Sequence, residues 1–316
     1  MTTKNKLLTL LIVSSGAAAA TALINKAIQI QATSKNLFAK KESLCFKWRL
    51  GDVRYTKQGT GKPLLLIHNL SPSASSYEWS SVAKDLAEDY TVYTIDLLGC
   101  GQSEKPNLTY TNYLYVQLIS DFIKSEIGHR TDVVVTGASC ALAIMACANS
   151  PELFDRLVLI NPESILTCSQ VPGKRAKLYK FTLDLPILGT LIYNIATSRT
   201  LLREMFEKVW FFRAKKVNAQ LLDTYFEAAH LGESPKSIYA SVRTHYTKCN
   251  IINALRRIDN SICLIGGEEI EGISERFDEY REYNPAVEST LIADTRLLPQ
   301  LESPEKTVEA IRTYLA

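Results

Sequence analysis

Six short, largely apolar runs, at residues 64–67, 91–95, 132–136, 157–160, 262–265 and 289–292, recur along the chain between turn residues. Runs of this length and character suit strands buried on both faces. Helical periodicity fills the gaps at 79–88, 113–127, 140–149 and 304–315. A strand buried on both faces needs helices above and below it, so the alternation predicts a doubly wound, mostly parallel sheet. Residues 44–49 and 53–57, joined through Gly51-Asp52, read as an antiparallel entry hairpin and bring the expected sheet to eight strands.

The alternation stops over 164–257, where helical patterns are punctuated by Pro172-Gly173, Pro186, Gly189, Gly232 and Pro235. An all-helical insertion between two sheet strands is expected to cap the strands' C-terminal ends. Its aromatic residues Tyr179, Phe181, Tyr193, Phe206, Trp210, Phe211, Phe212, Tyr225 and Phe226 supply a core for the cap, and some of them a lipophilic pocket. The expected division is therefore an arm at 1–43, a first core part at 44–163, the helical cap at 164–257 and a second core part at 258–316.

The arm carries the basic character of the chain. Residues 1–60 hold ten Lys and Arg against Glu42 and Asp52, so a net charge of +3 leaves the body mildly acidic. No nucleic-acid partner is expected from this distribution. Residues 7–24 contain no charge, and as a helix they span about 27 Å, enough to cross a hydrocarbon core. A membrane anchor is one reading. A cleaved signal peptide is another, since 7–13 is a short apolar region and 15–22 offers A-x-A-like sites, and a buried helix is a third. Lys26, Lys35, Lys40, Lys41, Lys47 and Arg49 after the segment outnumber Lys4 and Lys6 before it, which orients an anchored body toward the cytoplasm. Secretion after signal cleavage is the alternative location. The seven cysteines are odd in number and form no C-x-x-C pair, as expected of reduced thiols in a chain without a zinc or redox site. No cofactor or metal is expected.

Gly137-Ala138-Ser139-Cys140-Ala141 follows a strand and opens a helix, the context of a G-x-S-x-G nucleophile elbow, which places the nucleophile at Ser139. Upstream, Leu66-Ile67-His68-Asn69-Leu70 resembles the strand and His-Gly loop that supply one oxyanion donor in the α/β-hydrolase superfamily, with Asn69 in place of the glycine. The expected oxyanion donors are the backbone N–H of Cys140 and that of Leu70 or Asn69. Gly59-Thr60-Gly61-Lys62 suggests a phosphate loop only superficially, because a strand and not a helix follows it.

Together with Trp79, the Asp96-Leu97-Leu98-Gly99-Cys100-Gly101-Gln102-Ser103 segment and the closing Pro299-Gln300-Leu301-Glu302, these motifs resemble the α/β-hydrolase superfamily over residues 44–316. Residues 77–126 are most similar to its pheophytinase-like, lipophilic-ester branch. The resemblance implies the α/β-hydrolase fold, a lipophilic ester-like substrate or ligand, and a bracing role for His68. It also implies a histidine in His-x-Pro-x-x-Glu, but aligning Pro299 and Glu302 puts Leu297 at that position. Leucine cannot accept a proton. The remaining histidines are His68, His129, His230 and His245, of which the last two fall in the cap. The family's acid position, in Gly267-Glu268-Glu269-Ile270-Glu271, reads as Ile270, leaving Glu269, Glu271 or Glu163 as candidate acids. Two functions remain open: a degenerate serine hydrolase that binds a lipophilic ligand, and an atypical esterase that uses Ser139 with a base from the cap. The oligomeric state is not indicated.

Overall fold

A computed structural model describes residues 3–39 and 43–316, with side chains from Ser15 onward. Lys40 and Lys41 of the basic arm, and the side chains of the apolar 7–13 run, lie outside that description. The arm's helix is Thr3–Thr33. Among the described residues, no helix is long and apolar enough to cross a membrane.

The eight strands are β1 (Leu44–Trp48), β2 (Gly51–Gln58), β3 (Lys62–Ile67), β4 (Tyr90–Ile95), β5 (Thr131–Thr136), β6 (Phe154–Ile160), β7 (Ile262–Gly267) and β8 (Glu288–Ile292). They form one sheet in the order β1-β2-β4-β3-β5-β6-β7-β8. β1 and β2 pair antiparallel, as do β2 and β4, and every other pair is parallel. The entry hairpin and the doubly wound sheet are thus as expected.

Successive side chains on a strand point to opposite faces, and here both faces are apolar. Leu65, Ile67, Val133, Val135, Leu157 and Leu159 enter one core with the helix Ser139–Asn149. Leu64, Leu66, Val134, Val158 and Ile160 enter the other, closed by Val308, Ile311 and Leu315 of the helix Pro304–Leu315. The long helix expected over 79–88 is instead a 3-10 turn at Ser76–Trp79 and a single turn at Ala83–Leu86. Ser80 and Ser81 between them offer local hydrogen bonds that compete with a continuous helix.

Between β6 and β7 the chain is all helical, and Leu202, Phe206, Phe211, Leu221, Leu222 and Tyr225 form a further core together with Leu298 of the loop after β8. The ends of this insertion behave differently. Ile165, Cys168, Ile251, Ala254 and Leu255 pack into the sheet's own core. Removing 164–257 would strip those side chains from the sheet, so the cap and the core share packing across the boundary read from the sequence.

The chain leaves β3 for β4 on one side and returns to β5 on the other. In open α/β sheets this reversal opens a crevice beyond the strands' C-terminal ends. The segments that flank it, 68–71 after β3 and 137–139 after β5, therefore frame the site.

Candidate functional site

A cavity of about 170 Å³ lies at this crevice, walled by Asn69, Gly137, Ala138, Leu297, Leu298 and Trp210 among others. Gly137 has φ +60. A strand that turns sharply into a helix needs one residue in the left-handed region, and in a nucleophile elbow that strained residue is the one whose side chain stands over the sheet. Here it is glycine. Ala138, with φ −63, caps the helix that begins at Ser139.

The sequence reading expects the nucleophile at Ser139, whereas the left-handed residue of the turn is Gly137. Ser139 is the first residue of the helix and is absent from the cavity wall. Its side chain is fully buried and donates its hydroxyl to the His68 carbonyl at 2.7 Å. Ser139→Ala should cost about 1 kcal/mol, the worth of one buried hydrogen bond, and leave ligand binding unchanged. Urea denaturation and a binding titration check both.

The oxyanion donors also differ from the expected set. After a left-handed residue 137, the N–H aimed at the elbow is that of Ala138, and it donates to Asn69 Oδ1 at 2.9 Å. The Asn69 side chain thus occupies the hole. Its own N–H donates to Glu78 Oε2 at 3.0 Å. The Cys140 N–H closes the first helical turn on the Gly137 carbonyl at 3.1 Å, and neither Cys140 nor Leu70 lines the cavity. Asn69 and Gly137 are complementary: a Cβ on Gly137 would stand 2.4 Å from Asn69 Oδ1.

Leu297 lines the same cavity as Gly137, donating its N–H to the Trp210 carbonyl at 3.0 Å. The loop that carries it is fixed by Asn161, whose Nδ2 donates to the Arg296 and Leu297 carbonyls at 2.9 and 3.0 Å. Glu302 holds the loop from the other side, accepting from the N–H groups of Arg296 and Arg213. None of the four histidines lines the cavity. His68 is fully buried, with Nδ1 on the Asn69 carbonyl at 2.7 Å and Nε2 accepting from the Leu97 N–H at 3.0 Å, and burial lowers its pKa. A neutral ring held at both nitrogens braces the loop. His129 is exposed beyond the opposite end of β5. His230 faces a separate cavity between the cap and the Thr3–Thr33 helix, so the cap base considered from the sequence does not reach the elbow. His245 sits at φ +63 outside the cavity, with Nδ1 buried and unpartnered.

Of the candidate acids, Glu163 lines the cavity with its carboxylate ion-paired to Lys248. Glu269 and Glu271 are exposed outside it, and Ile270 packs against the main core. The buried carboxyl in the wall is one the sequence reading missed. Glu78 is 1% exposed, accepts from Asn69 N–H and, at 3.2 Å, from the Tyr225 hydroxyl, and burial pushes its pKa to about 8. In sequence it is one polar residue just before the 79–88 helical pattern, with nothing to mark it. Gly137 did carry a signal: it is the only glycine in the elbow window, and glycine enters the left-handed region without penalty.

Comparison with known proteins agrees with the fold. A profile described as the alpha/beta hydrolase family matches residues 64–310, most of the chain. The chain belongs to the alpha/beta hydrolase family. Among family members, 2-hydroxy-6-oxo-6-(2'-aminophenyl)hexa-2,4-dienoic acid hydrolase of Metapseudomonas resinovorans is 29% identical over 147 residues, which cover 46% of this chain and 49% of that enzyme. The soluble epoxide hydrolase of Corynebacterium sp. (strain C12) is 29% identical over 34% of this chain and 37% of its own length. The chain spans about half the length, or less, of the curated relatives it matches. In fold it is similar to a membrane phospholipase A, with a TM-score of 0.69, 19% identity and coverage of 99% of this chain and 98% of that one. Carboxylesterase CesB from Bacillus subtilis gives a TM-score of 0.65 at 16% identity, covering 94% and 99%.

Proposed function

We propose that this family member is a catalytically silent hydrolase that binds a small lipophilic, ester-like ligand in the Gly137 cavity. The observation that carries the reading is the left-handed glycine at the elbow, where a nucleophile's side chain would stand. Three further features support it. Leucine replaces the base, Ile270 stands at the acid position, and Asn69 already satisfies the Ala138 N–H that would stabilise an oxyanion. Each is tied to a different step of acyl transfer, so restoring one alone restores little.

The wall favours a ligand that is apolar with a few polar contacts, since Ala74, Trp210, Leu297 and Leu298 share it with Ser71, Glu78 and Asn161. Fold relatives named as a phospholipase A and a carboxylesterase support the ester-like class. The uncharged 7–24 run supports, as part of the same proposal, a body held at the cytoplasmic face of a membrane.

The test uses 1-naphthyl butyrate. The expected result is saturable quenching of Trp210 fluorescence, absent in Trp210→Phe, with the ester recovered intact. Leu297→His alone should leave turnover at background, because residue 137 offers no nucleophile. Hydrolysis that disappears in Ser139→Ala would overturn the reading.

A further inference from the structure

The cap presents an apolar surface that its own packing does not use. Leu178 and Phe181, on the helix Ala176–Asp184, are 68% and 63% exposed, and Leu188, which opens the next helix, is 49% exposed. The position of this surface is set by the arm. Asn25 Nδ2 donates to the Ile187 carbonyl at 3.1 Å, and Asn194 Nδ2 donates to Asn25 Oδ1 at 2.9 Å. These bonds fasten the Leu188–Ala196 helix beside residue 25, one residue past the end of the uncharged 7–24 run. On the arm itself, Leu23 and Ile30 form an exposed stripe at a spacing of seven, opposite the buried Asn25 and Ala32.

The exposed charges that adjoin Leu178 in sequence are cationic, while Glu233 shares a cavity wall with Lys26 and Lys236. Lys174, Arg175 and Lys177 are exposed next to Leu178, and with Lys26 on the arm they have no carboxylate partner among the described residues. The nearby Asp184 is neutralised by Lys180. Exposed apolar side chains beside cations without a carboxylate partner match a bilayer surface with anionic headgroups, which takes apolar side chains at the acyl boundary and attracts basic residues.

We propose that this face of the cap docks onto an anionic lipid bilayer, with Leu178, Phe181 and Leu188 entering the interface and Lys174, Arg175 and Lys177 contacting the headgroups. The inference rests on the membrane-held reading for the level at which the surface lies. It adds that the body lies against the bilayer and does not stand off on its arm.

The experiment uses the full chain with vesicles of phosphatidylcholine containing 30% phosphatidylglycerol. An environment-sensitive nitrobenzoxadiazole label is attached at Phe181→Cys or, as a control on the helix Pro304–Leu315, at Glu309→Cys, with the parent chain as the blank for its own thiols. The expected result is a severalfold emission rise at 181, quenched by spin-labelled lipid, with no change at 309. Lys174→Glu, Arg175→Glu and Lys177→Glu together should return the 181 signal to its value on pure phosphatidylcholine. Co-sedimentation with no change at 181 would leave the anchor standing and overturn the docking. A salt-reversible rise at 181 without salt-resistant sedimentation would support the docking and end the anchor reading. A concentration-dependent rise without vesicles would identify a second copy as the occupant and overturn the proposal.

Discussion

Gly137→Ser is expected to destabilise the fold by about 3 kcal/mol, combining roughly 1–2 kcal/mol for a side chain held left-handed with roughly 1–3 kcal/mol for overpacking. The crowding has one source. A Cβ at 137 stands 2.4 Å from Asn69 Oδ1 and 2.7 Å from its Cγ, and the Asn69 side chain is pinned by the Ala138 N–H. Moving Asn69 aside would break that bond. In an Asn69→Gly background the obstruction is gone, and adding Gly137→Ser should cost about 2 kcal/mol less than it does in the natural chain. Urea denaturation of the four proteins in the cycle measures this coupling. Additive effects would mean that Asn69 does not fill the space over the elbow, and that its occupation of the oxyanion position is incidental.

The second large effect is a pH dependence carried by Glu78. Its carboxyl is buried without a cation, which raises its pKa from 4.5 to about 8 in the folded chain. Between those values the folded chain keeps a proton that the unfolded chain releases. Stability from this group is therefore full below pH 4.5 and falls as the pH rises to 8, by an amount on the order of 4 kcal/mol. Glu78→Gln removes the titration and keeps an acceptor for the Asn69 N–H. The natural chain should be close to the variant in stability at pH 5 and well below it at pH 8.5. A difference between the two proteins that does not change with pH would show that Glu78 titrates normally.

The sheet was legible because strands buried on both faces must be short and apolar, and those runs have few other uses. Leu297 was legible for a local reason, since Pro299 and Glu302 bracket its position within six residues. The elbow was legible as a turn but not in register. Close packing of strand and helix demands small residues around the nucleophile, and Gly137 and Ala141 meet that demand around Ser139, which favours that register in sequence over one centred two residues earlier, where Val135 precedes. The backbone angle at 137 separates them. The plug could not be read at all, because Asn69 meets Ala138 across 69 residues through a contact that exists only once β3 and β5 lie side by side. The extent of the cap was hidden for a similar reason. Helical periodicity does not distinguish Ile251 and Leu255, which serve the sheet, from Leu221 and Leu222, which serve the cap.

The central claim, that the crevice of this hydrolase fold holds no nucleophile, is tested most directly by treating the purified full chain with a fluorophosphonate and measuring its intact mass beside an active serine hydrolase. The expected result is no adduct, since Ser139 is fully buried with its hydroxyl on the His68 carbonyl and residue 137 is glycine. One phosphonyl group per chain, mapped to Ser139 or to the cavity-lining Ser71, would contradict it.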